Sequence, residues 1–155
     1  MICAKVKLLL LFFLPCVVAD ASDLLPLTPH PRLFATEKDF ADLKGKLETT
    51  ELGRIGRMRL LRESERLSAL PPLRHELAGR RMLAVSREAL ERIANLAMAF
   101  RVTGTERYAR AAIDTALTVA EFDDWNPTHF LDAAEMTLAV ALARDWLDDR
   151  LSEGE

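Results

Sequence analysis

The segment from Asn126 to Leu151 most limits what this chain can fold into, because its signals are helical and it is apolar on too many sides to lie on a protein surface. Asn126 is a good N-cap, and Pro127 suits the first helical position, where its missing N–H does no harm. His129 then falls in the first turn. At about 100° per residue, Asp132, Glu135, Ala139 and Trp146 share one side, Leu131, Ala134 and Leu138 a second, and Ala133, Met136 and Val140 a third. A helix of this kind needs other helices around it. Its two acids, Asp132 and Glu135, therefore need either partners or a wet cavity. The arginines Arg101, Arg107 and Arg110 and loop N–H groups are the expected partners, and a substrate groove is the alternative.

The rest of the chain supplies such helices. Thr36 followed by Asp39 forms a capping box with the shorter acid, and Phe40, Leu43 and Leu47 recur at helical spacing, which predicts a helix over 37–48. A second covers about 51–68, with Ile55, Met58, Leu61 and Leu67 on an apolar side and a dense Arg/Glu face opposite, until Pro71-Pro72 breaks it. From Arg81 to Val102 the apolar residues keep a period near 3.6, the strongest helical signal in the sequence. Gly104 ends that helix and Thr105 can cap the next, over about 106–121. So short a connection forces the two helices antiparallel. The expected fold class is all-α.

The N-terminus has a different character. Met1 to Lys7 carries two lysines, Leu8 to Leu14 is a pure apolar run, and small residues follow at cleavage spacing, so residues 1–19 read as a signal peptide. Cleavage falls after Ala19 or, second, after Ala21. The run is too short to span a bilayer, so no stable membrane insertion is expected after cleavage. Cys3 and Cys16 leave with the signal, and the remaining chain has no thiol for a disulfide or a metal site. Loss of Lys5 and Lys7 takes the formal charge from −3 to about −5, and nothing in it favours nucleic acid. Residues 20–35 form an extended lead-in, interrupted by Pro26, Pro29 and Pro31. The expected destination is periplasmic or extracellular.

Catalytic motifs are scarce. His129 and Asp132 share a face at i, i+3, but no HExxH pattern accompanies them, and His30 and His75 have no visible partner, so no metal site is read. No P-loop, dinucleotide fingerprint or GxSxG elbow occurs, and no cofactor is evident. His129 either holds a sugar hydroxyl or is a satisfied helix-mouth residue. Trp125 either stacks on a sugar ring or packs.

Three stretches, "HPRLFATEKDFADLKGKL" (30–47), "GRRMLAVSREALERIANLAMAFRVTGTERYARAA" (79–112) and "DWNPTHFLDAAEMTLAVALARDWL" (124–147), together resemble the N-terminal part of the heparinase II/III-like polysaccharide lyases. The resemblance implies antiparallel helical hairpins forming part of an incomplete α/α toroid over 36–155. It also implies β-elimination on a uronic-acid polysaccharide of heparin, heparan or alginate type, by neutralising the carboxylate and removing the adjacent C5 proton with a Tyr or His. Those residues are expected beyond the "DWL" helix, so the chain reads as the front piece of a lyase, inactive by itself. No catalytic residue is carried over; Tyr108, the one tyrosine, reads as helix packing. Asn126, His129 and Glu135 are carried over as substrate-groove residues. The competing reading is a secreted, non-catalytic helical module that binds glycan or protein. Export is directly testable: N-terminal sequencing of secreted material should begin at Asp20 or Ser22, and a soluble cytoplasmic form retaining Met1 would exclude a signal peptide.

Overall fold

The computed structural model describes residues 28–154; the stretch read as a signal peptide, the cleavage positions expected for it and both cysteines lie outside them. Five α-helices follow in order: α1 Glu37–Thr49, α2 Glu51–Ser68, α3 Leu83–Thr103, α4 Glu106–Ala120 and α5 Phe130–Trp146, with a short 3-10 turn at Asp148–Arg150. Among the described residues there is no strand beyond one isolated bridge, Ala78 to Arg81, and the fold is all-α. No helix among them is long and apolar enough to cross a membrane.

Local chemistry sets most helix ends. Thr36 and Asp39 form the capping box of α1, with the Asp39 carboxylate accepting the Thr36 N–H at 2.9 Å. Thr50 closes α1 and opens α2: its N–H donates to the Lys46 carbonyl, and its hydroxyl accepts the Gly53 N–H at 2.9 Å. A Cβ on Gly53 would lie 2.1 Å from the Lys46 carbonyl oxygen and 2.8 Å from the Leu47 Cα, so this tight connection requires glycine. Gly104, at φ 71°, ends α3 in the left-handed conformation and donates its N–H to the Phe100 carbonyl at 2.7 Å. Thr105 occupies the next N-cap position, but its side chain makes no capping bond, contrary to expectation.

Packing corrects the sequence reading in three places. In α2 the inward residues are Leu60, Leu61, Ser64 and Leu67, whereas Ile55 and Met58 are 37% and 63% exposed, so the apolar stripe read from the sequence is only half right. Helix α3 begins at Leu83, because Ala78 and Arg81 exchange two backbone hydrogen bonds around Gly79 (φ 65°) and hold the preceding chain in a turn. Helix α5 is not surrounded by the described residues. Met136, Ala139, Ala143 and Trp146 enter the core against α3 and α4, but Phe130 is 83% and Leu131 46% exposed. Phe130, Ala133, Leu138 and Ala141 instead line an open apolar cavity of about 480 Å³ together with Leu33 and Phe34.

The core joins all five helices through Phe40, Leu67, Ile93, Leu96, Ile113, Met136 and Trp146. Trp146 meets Phe40 edge to face at 5.1 Å between ring centroids and donates its indole N–H to the Leu33 carbonyl at 2.8 Å. Beside it, Asp145 is 2% exposed. One oxygen lies 2.6 Å from His30 Nδ1, and the other accepts the Arg32 and Leu33 backbone N–H groups at 2.8 Å each. His30, read as partnerless, thus helps to fix the lead-in on the end of α5. Burial pushes the Asp145 carboxyl up, but the two backbone N–H groups and His30 outweigh it and hold the pKa below the ordinary carboxylate value. Asp145→Ala would leave these part-buried donors without their acceptor. Chemical denaturation should show a loss of about 3 kcal/mol, and an unchanged midpoint would mean that the lead-in contributes nothing to stability.

Candidate functional site

Residues 121–129 join α4 to α5, and Trp125 fixes the middle of that connection. Its indole N–H donates to the Val119 carbonyl at 2.8 Å and its ring packs on the core, so packing describes it better than an open stacking platform. The Asp124 carboxylate accepts the Asn126 N–H at 2.6 Å and faces His75 Nε2 at 3.5 Å. His75 also meets the Phe122 ring edge to face, so it too has partners that the sequence did not reveal.

Asn126 sits at φ 51°, a left-handed conformation that asparagine tolerates. Its side-chain amide donates to the Arg80 carbonyl at 2.9 Å and to the Asp132 carboxylate at 2.8 Å. Engaged in this way, it does not cap the helix. The next residues form a turn closed by His129 N–H to the Asn126 carbonyl at 2.9 Å, and α5 starts at Phe130 with His129 itself in the N-cap position. The expected start, with Asn126 as cap and Pro127 as first helical residue, is therefore three residues early.

Asp132 is the centre of the arrangement. It is fully buried and accepts from Asn126, from the Met82 backbone N–H at 2.8 Å, and from the Arg81 guanidinium at 3.1 and 3.3 Å. Burial raises its pKa, and these donors, Arg81 first, more than offset that, leaving the carboxyl below its ordinary value. Glu135, one turn on, accepts from the Ser86 hydroxyl at 2.7 Å and from Arg87 at 3.3 Å. The partners are thus Arg81, in the turn before α3, and Arg87, within α3, in place of the arginines expected from the sequence. Arg101 instead binds the Trp146 carbonyl, Glu37 and Asp149; Arg107 binds Glu65; Arg110 pairs with Asp114.

Of the three residues assigned to a groove, Asn126 and Glu135 are engaged in internal bonds, and His129 is half-buried with Nδ1 3.2 Å from the Thr128 hydroxyl. Arg80 and Arg87 are exposed; the Arg80 backbone carbonyl accepts from Asn126, and the Arg87 guanidinium pairs with Glu135. What the arrangement offers to solvent is a half-buried imidazole, the Thr128 hydroxyl and guanidinium groups, with the exposed carboxylates of Asp123 and Asp124 in the same loop. Tyr108 is buried and donates its hydroxyl proton to Glu65 at 2.6 Å, and burial together with that carboxylate pushes its pKa up, so it is poorly suited to act as a base. Among the described residues, no group of three or more His, Cys, Asp or Glu is placed to hold a metal ion.

In comparisons with known proteins, the sequence matches no protein-family model and no curated protein.

Two measurements separate the acids. Asp132→Asn should lower stability at neutral pH by about 3 kcal/mol, because a carboxylate bonded to Arg81 and a backbone N–H is lost. The native pKa lies below the unfolded one, so the wild-type contribution is complete above about pH 4 and disappears as pH falls through the native value. The gap between wild type and variant should therefore close in acid, and a gap independent of pH would contradict an ionised Asp132. Glu135→Ala should cost less, about 1 kcal/mol, because Arg87 can turn to water and the Ser86 hydroxyl also lies 3.2 Å from the Leu83 carbonyl.

Proposed function

We propose that this chain is the N-terminal helical part of a secreted polysaccharide lyase acting on uronic-acid-containing polysaccharide of heparin, heparan or alginate type. In this reading the helices are antiparallel hairpins of an incomplete α/α toroid, and the substrate is an acidic glycan. One observation carries the reading: the stretch that most resembles the lyases, residues 124–147, builds a polar helix mouth. There Thr128 is exposed and His129 half-buried, and the exposed residues Arg80 and Arg87 adjoin Asn126 and Glu135. Guanidinium groups would bind the acid of a carboxylated sugar, and hydroxyl or imidazole groups would exchange hydrogen bonds with its hydroxyls.

The chemistry of such a lyase would neutralise the uronate carboxylate, which acidifies the C5 proton. A base removes that proton and the O4-linked sugar departs, leaving a C4=C5 double bond. In this chain His129 and Arg80 would orient the sugar, while Asn126 and Glu135 would hold the helix mouth in shape. No residue here is assigned the proton transfer. That engagement of Asn126 and Glu135, with Tyr108 buried, favours a second reading: a secreted helical module that binds glycan or protein without cleaving it.

Two assays divide these readings. Purified chain mixed with heparan sulfate or alginate should give no rise in the ultraviolet absorbance of unsaturated uronates; a rise abolished by a substitution within this chain would place the catalytic base here. Titration with acidic oligosaccharide should perturb the His129 ring resonances. His129→Ala and Arg80→Ala should each weaken binding by about threefold to tenfold. Equal binding of a neutral glycan, or no binding at all, would remove the support for an acidic substrate.

A further inference from the structure

Helix α2 presents an outward face that the candidate site does not use. Its inner side, carrying Leu60, Leu61, Ser64 and Leu67, packs against the body, and Ser64 donates to the Asn95 carbonyl of α3 at 3.4 Å. At about 100° per residue, the opposite side gathers Leu52, Ile55 and Met58 with Arg59, Arg62 and Arg66. Leu52 is 79% and Met58 63% exposed, and all three arginines are exposed. Aliphatic groups spaced one turn apart therefore alternate with guanidinium groups over one continuous surface.

The charge on that face is not balanced locally. The helix holds five arginines and three glutamates, in a chain whose formal charge is −3. Glu65 is bound by Arg107 and Tyr108, and Glu63 by Arg66. Among the described residues Arg59 and Arg62 make no hydrogen bond or ion pair, although Arg62 acts on Glu63 at longer range. Glu51, in the first turn, is the acid left to oppose them.

We propose that the outward face of α2 docks peripherally on an anionic phospholipid surface. Arg59 and Arg62 would bind lipid phosphates, while Leu52, Ile55 and Met58 enter just below the headgroups. An acidic polysaccharide would satisfy the same cations, but its polar surface would leave the three aliphatic side chains unmatched. A basic face interleaved with exposed apolar residues fits a lipid interface on both counts. The proposal is independent of the lyase reading, since it concerns another face and a different ligand.

The test is co-sedimentation of the full chain with phosphatidylcholine vesicles with and without phosphatidylglycerol. Three proteins are compared: wild type, Arg59→Glu/Arg62→Glu and Leu52→Ser/Met58→Ser. All four positions are exposed, so the variants should keep the wild-type circular dichroism, and residues 1–27 are common to all three. Expected is a partition onto phosphatidylglycerol vesicles that falls at least about tenfold in each variant, and that weakens with added salt. Equal partition of either variant and wild type would overturn the proposal, as would wild-type partition that ignores phosphatidylglycerol. Loss in the charge variant alone, with the protein released by soluble acidic polysaccharide, would also overturn it and assign the face to glycan.

Discussion

Two buried carboxylates on α5 hold the rest of the structure in place. Asp132, in the first turn, gathers Arg81, the Met82 N–H and Asn126; Asp145, in the last, gathers His30 and the Arg32 and Leu33 N–H groups. A carboxylate without water around it persists only when its oxygens are met by donors, so each aspartate dictates where a distant piece of chain must lie. The first draws the turn before α3 and the loop before α5 together. The second fixes the lead-in along the far end of the same helix. Both carboxyls stay below their ordinary pKa despite burial, which is the electrostatic expression of the same donors.

Arginines extend this pattern from α5 to the other helices. Arg101 of α3 binds the Trp146 carbonyl at 2.6 Å, and reaches Glu37 at the start of α1 and Asp149 after α5. Arg92, 5% exposed, pairs with Glu88 and donates to the Pro71 carbonyl at 2.7 Å, fixing the Pro71-Pro72 segment where it leaves α2. These arginine side chains are thereby committed to architecture and not to a binding surface. Near the helix mouth the exposed polar residues include Thr128, Arg80, Arg87, Asp123 and Asp124, with His129 half-buried.

The candidate site was legible in composition but not in role. The stretch around Asn126, His129, Asp132 and Glu135 stood out because polar groups opened an apolar helix, and the structure does bring three of the four into one hydrogen-bonded region with Arg80–Arg87. The sequence could not tell that Asn126 would take a positive φ and give its amide to Asp132 instead of capping the helix. Nor could it select Arg81 and Arg87 over Arg101, Arg107 and Arg110, since every one of them lies far from α5 in the chain. Asp145 gave no signal at all, because an aspartate near a helix end looks like a solvated residue until its distant donors arrive.

Local interactions explain what the sequence alone determined: the all-α class, the capping box at Thr36 and Asp39, the stop at Gly104 and the extents of α1 and α2. Each depends on residues within one or two turns of one another, where periodicity and capping chemistry act. Tertiary structure decided the matters that depend on neighbours distant in sequence. It turned Ile55 and Met58 outward and Leu60 inward, left Phe130 and Leu131 exposed on a helix whose pattern asked for cover on every side, and chose the donors for two buried acids. Apolar periodicity states how much of a helix can be buried. Only the packing of other elements fixes which face is covered, because burial belongs to a pair of surfaces and not to one.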